Sequence, residues 1–341
     1  MKKFTKLALA TSIAFSANAM AMQAMDDASL SATTGQDGIN IGIGISKIEI
    51  DKLFIHDNDG LNTSTTGGTA TAGAIVIKGD GKAGSVNENH GLVIGANYDS
   101  LLASKNLADL QIDSDAGNTA NGGAFLNIAA QVSGLKINIG EIGVAASNAM
   151  PDASATSIRR GASTSNYNAI LSGLEIVTGT MDANIQVGAA PQGAMIKLNT
   201  TMVGGLEIKN LGILDNSTKG KSIGEVTVGG NTVPVATQEA GEIFIESIKV
   251  ADANSKDLTI SQNISVFNDA YVGPSTTVGK AAHLRIVSND TGAKDQYIKG
   301  IHLGSRTAGS IGDMEVQGLQ TYYSPSAGTY TKGAVITISG R

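Results

Sequence analysis

The sequence predicts an all-β protein: an elongated stacked β architecture, β-solenoid-like or a long-stranded β-sandwich, with Gly-rich turns. Three observations predict it. Short aliphatic runs alternate with polar residues at a period of two, the mark of strands apolar on one face. The 43 glycines gather with Ser, Thr, Asn and Asp in the tracts between those runs, which is turn material. With 6 Phe, 7 Tyr and no Trp or Cys, the core has to come from Ile, Leu, Val and Ala, small side chains that suit thin layered sheets.

Taken in order, residues 1–21 read as a secretory signal peptide. Lys2, Lys3 and Lys6 form the basic start, Leu7 to Phe15 the apolar stretch, and Ala19, Met20 and Ala21 an A-x-A cleavage site. Cleavage after Ala21 removes three of the 24 basic residues and none of the 30 acidic ones, so the formal charge moves from −6 to −9. An acidic exported chain of this kind has no electrostatic attraction for nucleic acid or anionic lipid. No later segment reaches 18 continuous apolar residues, so no transmembrane helix is expected after signal removal. A membrane barrel would want aromatic girdles, which 6 Phe and 7 Tyr do not supply. The lack of cysteine removes both disulfides and an N-terminal lipid anchor, leaving hydrogen-bond ladders to hold the fold.

Residues 22–38 form a short polar segment, with room for one or two helical turns over 22–34, and 39–341 a single β-rich region with long polar loops. Strands are expected at Ala74 to Lys78, Leu92 to Ile94, Leu107 to Ile112, Phe125 to Val132, Ile185 to Val187, Val226 to Val228, Leu258 to Val266, Leu284 to Val287, Tyr297 to Leu303 and Val335 to Ile338. One pattern recurs: two alternating aliphatic residues, a slip of one position, then two more. It is seen at Ile43, Ile45, Ile48, Ile50; at Ile137, Ile139, Ile142, Val144; at Leu206, Ile208, Leu211, Ile213; and at Ile243, Ile245, Ile248, Val250. Four such side chains cannot share a face of an uninterrupted strand, so the chain must bulge or turn a corner between the pairs. Burying four of them contributes roughly 6–12 kcal/mol, against about 8–16 kcal/mol for ordering eight residues, so each copy needs neighbours on both sides.

Motifs for chemistry fail on context. Gly79, Gly81 and Gly84 have dinucleotide-fingerprint spacing, but no amphipathic helix follows, and a glycine turn is expected. Gly220, Lys221 and Ser222 lack the upstream glycine of a phosphate loop, and Gly273 to Lys280 ends in Ala281 where a hydroxyl is needed. Asp57, Asn58, Asp59 and Gly60 open like a calcium loop with no closing Glu, so a solvated turn is expected and a weak cation site is the sharper alternative. His56, His90, His283 and His302 form no metal-ligand pair. Asp109 with Asp113, or Glu242 with Glu246, have the residue types of a glycosidase pair, with the solvated face of a strand as the plainer reading. Neither a cofactor nor a catalytic residue is expected.

Asp26, Asp27, Leu30, Ser31, Gly35, Gln36, Asp37, Gly38 and Ile39, placed directly after a signal peptide, resemble the opening of FilA-type pilus-assembly proteins of Gram-negative bacteria, L-D-D-x-x-L-S-x-V-T-G-Q-D-G-I. Met25 replaces the first Leu, and Thr33 replaces Val. The stretch from Ser310 through Leu319, with Val335 to Ile338 and Gly340, is similar to that family's ending. What the resemblance implies is a structural or adhesive part of a fimbria-like assembly at the cell surface or outer membrane, partnered by other pilus-assembly or surface proteins. The resemblance carries no catalytic residues. The alternatives are a carbohydrate-active β-helix enzyme and a periplasmic ligand-binding sandwich. In a fibre subunit the terminal apolar stretches Gly38 to Ile45 and Ala334 to Ser339 are the expected edge-strand joints. Exported protein is expected to begin at Met22, and N-terminal sequencing that found Met1 instead would overturn the cleavage.

Overall fold

The computed structural model describes residues 38–221, 224–234, 238–268 and 282–340. The signal peptide with Ala19 and Ala21, and the motif residues Asp26, Asp27, Leu30, Gly35, Gln36 and Asp37, lie outside them. Residues 39–341 form one compact unit.

That unit is all β, and its order is simple once the strands are grouped into passes. The first pass is β1 (Ile39–Ile43), β2 (Lys47–Ile50) and β3 (Lys52–Asp57), and the second returns as β4 (Gly73–Lys78), β5 (Leu92–Ala96) and β6 (Ala108–Asp115). The third is β7 (Phe125–Val132), β8 (Leu135–Ile139) and β9 (Glu141–Ala146), and the fourth β10 (Asn168–Leu171), β11 (Leu174–Val177) and β12 (Met181–Gly188). The fifth is β13 (Ile196–Met202) and β14 (Leu206–Asp215), followed by a small hairpin of β15 (Glu225–Val228) and β16 (Asn231–Pro234). The sixth is β17 (Gly241–Asp252) and β18 (Leu258–Phe267), and the seventh β19 (His283–Ser288) and β20 (Lys294–Gly304). The eighth is β21 (Ser310–Leu319), a hairpin of β22 (Tyr322–Tyr323) and β23 (Thr331–Lys332), then β24 (Ala334–Ile338).

Each pass contributes to two sheets. The eight-stranded sheet runs β1-β6-β7-β12-β13-β18-β19-β24, one strand per pass in chain order. The twelve-stranded sheet takes the remaining lengths in the same succession, ending at β2 and β3 on one side and β21 on the other. Successive passes pair antiparallel. A solenoid stacks its coils in parallel, so the long-stranded geometry is the one realised, as an up-and-down meander.

Register explains the aliphatic composition. Ile39 lies opposite Ile112, then Ile128, Ile185, Ile196, Ile264, Ile286 and Ile336, so one isoleucine from every pass falls in a single row. A second row crosses the larger sheet: Ile48, Ile94, Ile137, Ile176, Ile208, Ile248, Ile298 and Met314. β-branched side chains stacked across strands are the unit of sheet stabilisation. Among the described residues no second layer of strands covers the first row: its six inner members are half-buried, and Ile39 and Ile336 at the ends are 60% and 54% exposed.

The displaced rhythm proves to be a seam across the larger sheet. The pairing of β14 with β17 steps from Lys209↔Ser247 to Leu211↔Ile245, and that of β17 with β20 from Ser247↔Lys299 to Ile245↔Ile301. Asn210, Glu246 and Gly300 are thereby left out of the ladder side by side, with Asn210 at φ 57° and Gly300 at φ 63°. On the far side of the sheet the same line runs between β2 and β3 at Asp51, through Gly91, and between β8 and β9 at Gly140, tied by Gly91 N–H to Asp51 O (2.9 Å) and Gly140 N–H to Gly91 O (2.8 Å). Three of the four slipped copies straddle this seam. The copy at Ile43 to Ile50 does not, because residues 44–46 carry the chain from one sheet to the other; the seam copy in that pass is Ile48, Ile50, Leu53 and Ile55.

A buried hydrophobic cluster lies at β3, β4 and β9, where Ala74, Val76 and Ala145 pack with Phe54, Ala162 and Tyr167. Gly143 makes room for the Tyr167 ring. At the seam, a Cβ on Gly140 would run into the Lys78 carbonyl oxygen, backbone that cannot move aside. Gly140→Ala is therefore expected to destabilise the fold by about 1–3 kcal/mol, read as a lowered thermal midpoint with the strand circular-dichroism signal retained; an unchanged midpoint would count against the close approach.

Candidate functional site

Pleat parity puts the residues between the ladder isoleucines on the other face, and there the sequence is polar. One row carries Asn40, Gln111, Asn184 and Lys197, with Ala129 in the middle. The next carries Asp109, Gln131 and Asp182. Side chains of both rows line a trough of about 890 Å³ spanning β1, β6, β7, β12 and β13. Five adjacent strands share one cavity only if the sheet curls around it, so the polar face is the inner one.

The trough is preorganised by its own amides. Asn127 Oδ1 accepts from Asn184 Nδ2 (2.8 Å) and Gln186 Nε2 (3.1 Å), and Gln192 Oε1 accepts from Asn184 Nδ2 (2.9 Å). Gln131 Nε2 donates to Asp182 Oδ1 at 3.1 Å. Asp109 accepts from Ser104 Oγ (2.5 Å) and Asn106 Nδ2 (2.6 Å), and these two bonds hold its carboxyl below the ordinary range. Fixed acceptors, fixed amide donors and a single lysine suit a hydrophilic, hydroxyl-rich ligand held by hydrogen bonds. Asp113, the suggested partner of Asp109, lies in the same strand across from Asn127.

The two members of the other carboxylate pair have separate partners, and Glu242 belongs to a clamp at the start of β17. Glu242 is 8% exposed; its Oε1 accepts from Arg306 Nη2 (2.7 Å) and Ser172 Oγ (2.5 Å), and Arg306 Nη2 also reaches Ser172 Oγ (2.7 Å). The Arg306 guanidinium lies 4.8 Å over the Phe244 ring. Burial pushes the Glu242 carboxyl up, but the Arg306 and Ser172 bonds outweigh it and the net shift is downward. Glu246 at the seam is held down by Lys299 Nζ (3.2 Å) and then His302 Nε2 (3.4 Å). Both carboxylates are thus ionised at neutral pH, whereas a glycosidase general acid must keep its proton. The clamp ties residues 64 and 134 positions apart, and Arg306 sits in a turn, so sequence spacing gave no sign of it.

The remaining motifs resolve into turns. Asp57 Oδ1 accepts the N–H of Asp59 (3.3 Å) and Gly60 (3.2 Å), a carboxylate closing its own turn, and no group of three metal-ligating side chains occurs among the described residues. Gly79, Gly81 and Gly84 belong to the excursion between β4 and β5, pinned by Asp80 N–H to Asn87 O (2.9 Å). His56, His90 and His302 go separately to Ser147, Asp51 and the Ala308 carbonyl, and His283 stacks on Phe267. Gly38 immediately precedes β1, while Ser222 and Gly273 to Lys280 lie outside the described residues. No helix among the described residues is long and apolar enough to cross a membrane.

The edges complete the site. Both terminal stretches expected to be edge strands are edges: β1 and β24 are the two ends of the eight-stranded sheet. A model of a family of unknown function (DUF6160) matches residues 1–115, the stretch ending with β6. Neither a curated protein nor a solved structure matches the chain.

Glu242 gives the fold a defined acid sensitivity. Its folded pKa lies below the ordinary 4.5, so its contribution is complete above that value and is lost as pH falls through the folded pKa. Glu242→Gln is expected to flatten this acid limb in urea titrations across pH, and Arg306→Met to cost about 2–3 kcal/mol at pH 7 by stranding the carboxylate. An acid limb unchanged in Glu242→Gln would sink the assignment.

Proposed function

We propose that this chain is an exported, non-enzymatic structural or adhesive component of a fimbria-like surface assembly, joined to its neighbours through its terminal strands. The observation that carries the reading is that the sheet's two ends are the chain's first and last described strands, β1 and β24. Sheet edges are where extended partners add, through main-chain hydrogen bonds. The resemblance of residues 26–39 to FilA-type openings points the same way. Cell surface and outer membrane are the proposed address, and other pilus-assembly or surface proteins the proposed partners.

The trough supports a second reading, a periplasmic protein that binds a hydrophilic ligand on its own. Immunogold labelling of intact cells separates the two, since label in a fibre or on the outer face is expected from the first and label seen only after permeabilisation from the second. Deletion of residues 334–341 is expected to abolish surface incorporation while leaving export intact; undiminished incorporation would remove β24 as a joint.

A further inference from the structure

The two sheets treat their edges in opposite ways. At the ends of the larger sheet, β2 carries Lys47 and Glu49, β3 carries Lys52 and Asp57, and β21 carries Asp313 and Glu315. The pairing of β21 with β20 is also irregular at three places. Charge and irregular pairing are the usual means of stopping a strand from recruiting another. The ends of the smaller sheet have neither: β1 is Ile-Asn-Ile-Gly-Ile and β24 is Ala-Val-Ile-Thr-Ile, five residues each, without charge or proline.

We propose that β24 of one copy of this chain adds to β1 of a second copy, continuing the eight-stranded sheet from molecule to molecule. This deepens the surface-assembly reading and rests on it for the setting, though the pairing itself is a property of the chain. Passes alternate in direction and their number is even, so a copy translated sideways presents β1 antiparallel to β24. Full overlap of the two strands sets Ile39 opposite Ile338, Ile41 opposite Ile336 and Ile43 opposite Ala334. All six lie on the ladder face. A slip of one residue would set Ile41 against Val335 or Thr337, side chains of the opposite face, so parity selects the register. The hairpin of β22 and β23 meets β24 at its start, where Gly333 N–H donates to Thr321 O (3.0 Å).

Closure of β24 onto β1 of the same chain would use the same edges, and electrostatics weighs against it. An eight-stranded barrel is only wide enough inside for its own side chains. Closing would shut Asp109, Asp113, Asp115 and Asp182 into that space on the polar face, four carboxylates against the two cations of that parity, Lys197 and Arg285. Pairing between copies leaves this face in water, where the carboxylates stay solvated.

The chain has no cysteine, so introduced thiols report unambiguously. Full-length Ile41→Cys and Ile336→Cys proteins, oxidised separately and as a mixture, are expected to give a disulfide dimer only in the mixture. The double variant is expected to give a ladder of covalent oligomers. A cross-linked monomer from the double variant, a dimer from either single variant alone, or no cross-link in protein whose circular dichroism matches the parent would overturn the proposal. Ile336→Lys provides a second test: it is expected to abolish oligomers in sedimentation velocity without changing the circular dichroism, and oligomers that persist would overturn it. Surface label on cells combined with failed cross-linking would remove this pairing and leave the surface reading standing; efficient cross-linking of a protein confined to the periplasm would do the reverse.

Discussion

Strand parity is the constraint on which the rest of the structure depends. A period of two means that one choice of register decides, for every residue in a pass, whether it faces the trough or the opposite side. The isoleucine row from Ile39 to Ile336 makes that choice the same in all eight passes. A pass slipped by one residue would bring an amide or carboxylate such as Gln111 or Asp113 into the row and put an isoleucine among the polar groups. Register is therefore fixed without disulfides and with few aromatic residues.

The seam is what such long strands require. Twist accumulates along a strand, and a bulge or break redirects it before neighbouring strands diverge. Here the interruption is made at the same level in neighbouring passes, and the aliphatic ladders resume beyond it in register. Different passes use different residues for it: Asn210 and Gly300 adopt positive φ, Gly140 admits a close backbone approach, and the excursion of residues 79–91 leaves and rejoins the sheet. Their common property is local backbone freedom or proximity, which explains why no single sequence word marks the line.

How much was legible follows from this. Phe125 to Val132 is β7 to the residue, and Leu258 to Val266 falls one residue short of β18, because alternation is local and strong there. The slip pattern announced the seam in three passes, yet in the first pass its frame was ambiguous. Ile43, Ile45, Ile48, Ile50, Leu53 and Ile55 contain the motif twice, and only the pairing of β3 with β4 decides which copy is the bend. The trough was illegible for another reason. Asn40, Gln131 and Asn184 are ordinary polar positions of alternating strands, and their convergence depends on strand order, which periodicity does not encode. The Glu242–Arg306–Ser172 clamp depends on a turn residue meeting a distant strand, β17, and the break between β10 and β11, a contact without any local signature.

What this architecture leaves open is a matter of magnitudes. Ile39, Ile41, Ile336 and Ile338 are 60%, 41%, 54% and 57% exposed, so covering them is worth about 1 kcal/mol each. A five-residue ladder adds about 1 kcal/mol for each hydrogen bond it gains. Together these come to roughly 8 kcal/mol, within the 4–15 kcal/mol that association costs in lost freedom. An edge joint alone is therefore marginal, and sensitive to concentration or to a partner that holds copies in place. The long aliphatic rows, which no second layer of strands covers among the described residues, are the larger reserve of burial. The edges can choose the neighbour and the register, but a durable assembly needs part of that face covered as well.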